Sequence, residues 1–211
     1  MKSQLLQQKT TQVRFKLPYT VEAVENCLYT AVEAEVETRG RRLVGGAELE
    51  RTVTEVARWM CGLTGKSGIL FAGRCGNGKS TMVRAMQNML NLLRVRNPVS
   101  NVVYSLPIFT AKQLVRVFRD RPREWDAAVG RDLLAIDDLG VEPRDVKDYG
   151  NVESPIIDLI SERYDRQLPM VITSNLTPQC ISEIYGERIA DRLRETMQVV
   201  AFTSPSFRTG K

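Results

Sequence analysis

Gly73-Arg74-Cys75-Gly76-Asn77-Gly78-Lys79-Ser80 fits the pattern G-x-x-x-x-G-K-S, a spacing suited to gripping phosphate. Its glycines let the backbone bend until several N–H groups point into one concavity that takes up an anion. A helix that starts there adds its positive end. In that setting Lys79 reaches the β- and γ-phosphates of a nucleoside triphosphate, and the Ser80 hydroxyl binds Mg²⁺. The expected nucleotide contacts are Gly73, Cys75, Gly76, Asn77, Gly78, Lys79, Ser80 and Thr81.

Leu133-Leu134-Ala135-Ile136-Asp137-Asp138 is an apolar run that ends in paired acids. Such a strand sets carboxylates at the carboxyl edge of a sheet, where open α/β folds bind ligands. Asp137 is expected in the Mg²⁺ shell together with Ser80, and Asp138 is expected to orient and polarise an attacking water. Alone, the pair would suit a solvated strand end equally well; the P-loop upstream favours chemistry. Thr173-Ser174-Asn175 offers an amide, Asn175, able to reach a γ-phosphate or the water, but Ser-Asn is also good turn chemistry. Arg188 and Arg192 are four apart and share a helical face, so they can stabilise charge on a transferring phosphoryl group. With Glu187, Asp191 and Glu195 among them, residue type alone favours a salt-bridged exposed helix.

These groups need a scaffold. Gly68 to Ala72 is a short apolar run before a glycine-rich turn, which predicts a buried parallel strand. Lys79 to about Leu93 has helical spacing. Val99 to Ser105 reads as a second strand, and Thr110 caps a helix carrying Leu114, Val115 and Phe118. Asp132–Asp137 is a third strand, followed by a polar loop from Gly140 to Ser154. A helix follows from Pro155 to about Gln167, and Pro155 sits well at a helix start. Met170–Thr173 is a fourth strand. Residues 177–197 are helical with a break near Gly186, and Val199–Phe202 is a last strand. Strands alternating with helices predict a doubly wound, mostly parallel five-stranded α/β sheet. Ahead of it, residues 1–18 read as a flexible arm. Thr20 caps an amphipathic helix with Val21, Val24, Leu28, Val32 and Val36 on one face and Glu22, Glu25, Glu33, Glu35 and Glu37 on the other. A second helix spans about Ala47 to Cys61. The expected division is an arm with its acidic helix at 1–44 and one domain at 45–211. The acidic helix serves either as a partner-binding surface or as packing on the core.

The chain of 211 residues, 43% apolar and 26% charged, can bury a full core, and its net charge of +5 is mildly basic. It has no histidine, which excludes Ser-His-Asp and Cys-His catalysis and His-ligated metals. Cys27, Cys61, Cys75 and Cys180 show no CxxC spacing, so zinc is not expected and reduced thiols are. No apolar run approaches bilayer length and the N-terminus is polar, so a cytoplasmic protein without membrane contact is expected.

The stretches "DLLAIDDLGVEP", "PIIDLISERYDRQLPMVITSNL", "YGERIADRLRE" and "SPSFR", in that order after the P-loop, resemble the DnaC/DnaI/IstB group of AAA+ ATPases: helicase loaders and transposition helpers. The likeness covers about residue 45 to the end. It implies ATP and Mg²⁺ as cofactors and hydrolysis of ATP. Asn175 matches the sensor-1 residue, and Arg192 matches the arginine finger with Arg188 as the nearby alternative. A finger acts on a neighbour's nucleotide, so a homo-oligomeric ring or spiral is implied in the ATP-bound state. The resemblance also implies that the basic stretch Lys112, Arg116, Arg119, Arg121 and Arg123 faces single-stranded DNA. Three departures stand out: many AAA+ proteins carry Glu where Asp138 stands, the expected lid is minimal, the sequence ending soon after Phe207-Arg208, and the N-terminal extension is short and helical.

The leading expectation is therefore an ATPase that assembles on DNA and loads a replicative helicase. A transposition helper, engaging a transposase on duplex DNA, shares the same core. A small-molecule P-loop kinase would need an acceptor pocket and lid arginines, and it leaves "ERIADRL" unexplained.

Overall fold

The computed structural model describes residues 14–143, 146–148 and 151–204. Of the flexible arm expected over residues 1–18, residues 1–13 lie outside this range, but its end is not free: Phe15 and Leu17 are buried in the core, and Leu17 N donates to Met60 O at 2.7 Å. Phe207-Arg208, beside which a minimal lid is expected, also lie outside the described residues. The elements run α1 (Val21–Glu37), α2 (Ala47–Met60), β1 (Gly68–Gly73), α3 (Lys79–Leu93), β2 (Ile108–Thr110), α4 (Ala111–Asp120) and α5 (Pro122–Gly130). They continue with β3 (Leu134–Leu139), β4 (Val146–Asp148), β5 (Asn151–Glu153), α6 (Pro155–Asp165), β6 (Met170–Ser174), α7 (Pro178–Tyr185), α8 (Glu187–Thr196) and β7 (Met197–Phe202). The main sheet has five strands in the order β2-β3-β6-β1-β7, and every pair in it is parallel.

The strand sequences explain the two-faced burial. Side chains alternate across a strand, and here both sets are apolar. Ile69 and Phe71 of β1 join Ala135, Val171 and Val200 under α1, α2 and α3. Leu70, Leu134, Ile136 and Ile172 point the other way, under α4 to α8. With helices on both faces the sheet is doubly wound. α1 belongs to this packing: Thr20 caps it by accepting from Ala23 N, and Val24, Leu28 and Val32 are buried. They share a core with Met82 and Met86 of α3, so the apolar face of the acidic helix packs on the sheet's helical layer.

β2 is displaced from its expected place. The apolar residues at 99–105 do not form a sheet strand, because Asn97 Oδ1 accepts from Val99 N (2.8 Å) and Ser100 N (3.3 Å) and turns the chain. Val99 and Val102 are left exposed. The strand forms only at Ile108–Thr110, with Ile108 beside Ala135 and Thr110 beside Asp137. Thr110 then caps α4 as expected, in a reciprocal box with Gln113. The loop expected after residue 139 contains the antiparallel pair β4–β5.

At the amino edge of the sheet, fully buried Arg163 of α6 acts as a hub. Its Nη1 donates to the carbonyls of Ala128 (3.3 Å), Val129 (2.8 Å) and Arg131 (2.9 Å), and Nη2 to that of Pro169 (2.7 Å). Three of these lie at the end of α5, where helices leave carbonyls unpaired. One guanidinium thus ties the entry of β3 to the start of β6. Burial, with nearby Arg166, pushes its pKa below the usual arginine range. Among the described residues no helix is long and apolar enough to cross a membrane, and none of the four cysteines is in a disulfide.

Candidate functional site

The site forms at the carboxyl ends of β1, β3 and β6. β1 runs straight into the glycine-rich loop. At Gly73 an added Cβ would stand 2.3 Å from Phe202 O and 2.5 Å from Asn77 Nδ2, so only glycine fits. Gly78, at φ 97°, opens α3 from a left-handed conformation. The Asn77 side chain is 2% exposed. It turns inward, donating to Phe202 O at 2.7 Å, which fastens the loop to the end of β7. What Asn77 can offer an anion is its backbone N–H. Cys75 is exposed at the loop's tip.

Lys79 is the centre of the arrangement. It is 5% exposed, and its Nζ donates to Gly73 O (2.8 Å), Arg74 O (2.8 Å), Asn77 Oδ1 (3.2 Å) and Asn175 Oδ1 (2.8 Å). The last bond joins two segments 96 residues apart in sequence. Ser80 Oγ donates to Asp137 Oδ1 at 2.8 Å. Lys79, Ser80, Asp137 and Asn175, expected to cooperate, therefore meet in one place.

Thr173 was not singled out from sequence, yet it organises both acids. Its hydroxyl donates to Asp137 Oδ1 (2.6 Å) and accepts from Asp138 N (2.8 Å), and the residue is fully buried. β3 bulges between Ile136 and Leu139, and within the bulge Asp138 takes φ 57°. That left-handed conformation is tolerated by Asp and Asn better than by longer side chains. It gives a local reason for Asp where a Glu is common. Ser174 adds a bond to Leu139 O (2.8 Å) that holds β6 against the bulge.

The donor set suits Mg²⁺. A hydroxyl and a carboxylate stand side by side at 2.8 Å, and no cluster of three or more acidic or thiol ligands occurs among the described residues. Mg²⁺ is commonly held by one or two protein oxygens plus phosphates and water, not by a protein cage. The first turn of α3 has no acidic residue of its own, so its positive end remains available to an anion in the loop, with Asp137 meeting it at Ser80.

The arginines behave differently. Arg192 is not hydrogen-bonded to this group. Its side chain is 11% exposed, Nη2 donates to Asp165 Oδ1 at 3.2 Å, and the guanidinium lies 4.6 Å over the Tyr164 ring. Arg188, one turn earlier, is exposed. Lys112, Arg116, Arg119, Arg121 and Arg123 are all exposed on α4 and the start of α5, with Arg119 paired to Asp120 (2.7 Å) and Arg121 to Glu124 (3.2 Å). Because Thr110 pairs with Asp137, α4 begins beside the acids.

No family model matches the chain, and no curated protein matches it. Solved structures do. A crystal structure of DnaI aligns at a TM-score of 0.52 and 24% identity, over 67% of this chain and 73% of that one. The DnaC helicase loader aligns at 0.57 and 17%, over 76% and 93%. AMPPCP-bound DnaA from Aquifex aeolicus aligns at 0.53 and 17%, over 79% and 50%. With the strand order above, this decides the architecture. The chain has the AAA+ fold. Within it the P-loop, the acids of β3 and the polar end of β6 occupy one edge of the AAA+ sheet.

Proposed function

We propose that this protein binds ATP with Mg²⁺ and hydrolyses it, assembling with further copies of itself on single-stranded DNA to load a replicative helicase from the cytoplasm. The observation that carries the ATPase reading is the bonded group Lys79–Asn175 and Ser80–Asp137–Thr173 at the mouth of the P-loop. The loop's N–H groups and Lys79 bind the phosphates. Mg²⁺, when bound beside Ser80 and Asp137, would neutralise charge on the β- and γ-phosphates. Asp138 and Asn175 orient a water on the γ-phosphorus. The water oxygen forms the new P–O bond, the bond to the bridging oxygen breaks, ADP leaves, and Asp138 takes the proton.

The loader reading rests on the order of motifs after the P-loop and on the likeness of fold to DnaC, a helicase loader. The exposed basic stripe Lys112, Arg116 and Arg119, spaced four and three residues apart on α4, supports contact with a phosphate backbone. A neighbour's Arg192 or Arg188 would complete the phosphate's surroundings. For Arg192 that requires departure from Asp165.

The test has two stages. Fluorescent ATP is titrated against wild type and Lys79→Ala; equal affinity for both removes the ATPase reading. The protein, loaded with ATP, is then presented with single-stranded and duplex DNA and with the host's helicase and transposase. Binding to single strands with helicase capture is expected, whereas duplex filaments that stimulate a transposase would replace the loader by the transposition helper.

A further inference from the structure

The turn after α1 brings a second cation to the P-loop. Arg39 Nη1 donates to Thr81 Oγ1 at 3.3 Å, across 42 residues of sequence. Thr81 lies in the first turn of α3, directly after Lys79 and Ser80. Arg39 is braced from behind: its Nη2 donates to Glu35 Oε1 at 2.6 Å. The same carboxylate, 12% exposed, faces Arg84 at 3.9 Å and accepts from Asn88 at 3.3 Å. Glu35 is thus fixed along the flank of α3, and Arg39 reaches forward from it while staying 41% exposed.

That position is electrostatically unfavourable for a cation. The amino end of a helix carries partial positive charge and favours anions. Lys79 and Arg39 both converge there, the turn itself contains no acid, Asp137 meets it only on the sheet side at Ser80, and Glu35 answers only the rear of Arg39. An anion in front of Arg39 would resolve the imbalance. The hydroxyl geometry suits one: because Arg39 donates into the Thr81 oxygen, the Thr81 proton is left to donate elsewhere.

Direction around the helix says which phosphate. Ser80 bonds to Asp137 on the sheet side, and Thr81, about 100° further round, bonds to Arg39 on the α1 side. The phosphate beside Thr81 is the one away from Asp137 and Asp138, the end common to ADP and ATP. We infer that Arg39 is a nucleotide-binding residue for the α-phosphate, which makes α1 a contributor to the nucleotide site. This rests on the reading of the P-loop as an ATP site.

The experiment compares ADP and ATP affinity in wild type, Arg39→Gln and Arg39→Lys, alongside thermal melts without nucleotide. Gln keeps a donor for Thr81 and removes the charge. The expected result is a rise in Kd of about tenfold for ADP and ATP alike in Arg39→Gln, the size of one charge-assisted hydrogen bond. A smaller rise is expected in Arg39→Lys, which keeps the charge. A lowered melting temperature with unaltered affinities would make Arg39 a brace only and overturn the inference. A loss confined to ATP would overturn the assignment to the α-phosphate. Wild type that binds neither nucleotide would sink the P-loop reading itself, a failure distinct from normal binding by Arg39→Gln.

Discussion

Replacing Thr173 by Val keeps the shape of the side chain and deletes one hydroxyl. That hydroxyl donates to Asp137 Oδ1 at 2.6 Å and accepts from Asp138 N at 2.8 Å in a fully buried position. A hydrogen bond to a charged group contributes about 1.5–3 kcal/mol, and stranding the Asp138 N–H costs about 1–3 kcal/mol. Asp138 is half-buried rather than fully enclosed, so the two losses combine to about 3 kcal/mol, or about 6–12 °C in Tm for a chain of this size. The catalytic effect is separate. Asp137 would keep its bond to Ser80 but lose its second anchor, and groups that orient a metal-binding carboxylate are worth about 10–100-fold in metal affinity or activity. Phosphate release measured across a Mg²⁺ titration should show a higher half-saturating Mg²⁺ and a lower plateau. Thr173→Ser should recover both, since the hydroxyl returns. A Thr173→Val protein with the wild-type Mg²⁺ response and a Tm within about 2 °C of wild type would refute the reasoning.

Asp138→Glu places a longer acid at φ 57° and should destabilise by about 1 kcal/mol without faster hydrolysis, whereas Asp138→Asn should keep stability and lose turnover; denaturant melts and phosphate release decide. Glu48 accepts from Ser204 Oγ, Thr203 N (2.6 Å), Thr203 Oγ1 (2.9 Å) and Ser204 N (2.8 Å). Those bonds, the Ser204 side chain foremost, lower its pKa to about 2. A depressed carboxylate stabilises above its unfolded pKa of about 4.3 and loses that effect as pH falls towards 2. Wild type should therefore melt above Glu48→Gln at pH 7, with the gap narrowing below about pH 4; a gap independent of pH would contradict this. Reversing charge at Arg119 and Arg121 should weaken single-strand binding and reduce its salt slope by about one to two; an unchanged slope would remove α4 from the DNA interface.

Much of the scaffold was legible because local pattern and final burial agree. β1, β3 and β6 are apolar runs closed by glycine or polar residues, and α3 starts and stops where its spacing says. β2 was misread because Val99, Val102 and Val103 look like a strand, while Asn97 turns the chain ahead of them and the pairing surface begins at Ile108. The chemical groups were legible where the motif contains them in sequence: Lys79, Ser80, Asp137 and Asn175 converge. Thr173 and Arg39 were not, because their roles depend on partners 36 and 42 residues away. Pattern alone also could not reveal that Arg192 rests on Tyr164 and Asp165.

β6 holds the two chemical halves apart. Neighbouring strands lie about 4.8 Å from one another, so with β6 between them β1 and β3 stand about 10 Å apart. One short segment spans that gap in both directions, with Thr173 reaching the acids and Asn175 reaching the lysine. The lengthwise setting of β6 is therefore itself a functional parameter. A slip of one residue would present Ser174 and Leu176 in their place and detach both sides together. Arg163, far from the chemistry, grips Pro169 at the strand's entry and so works as the set-screw of that gauge.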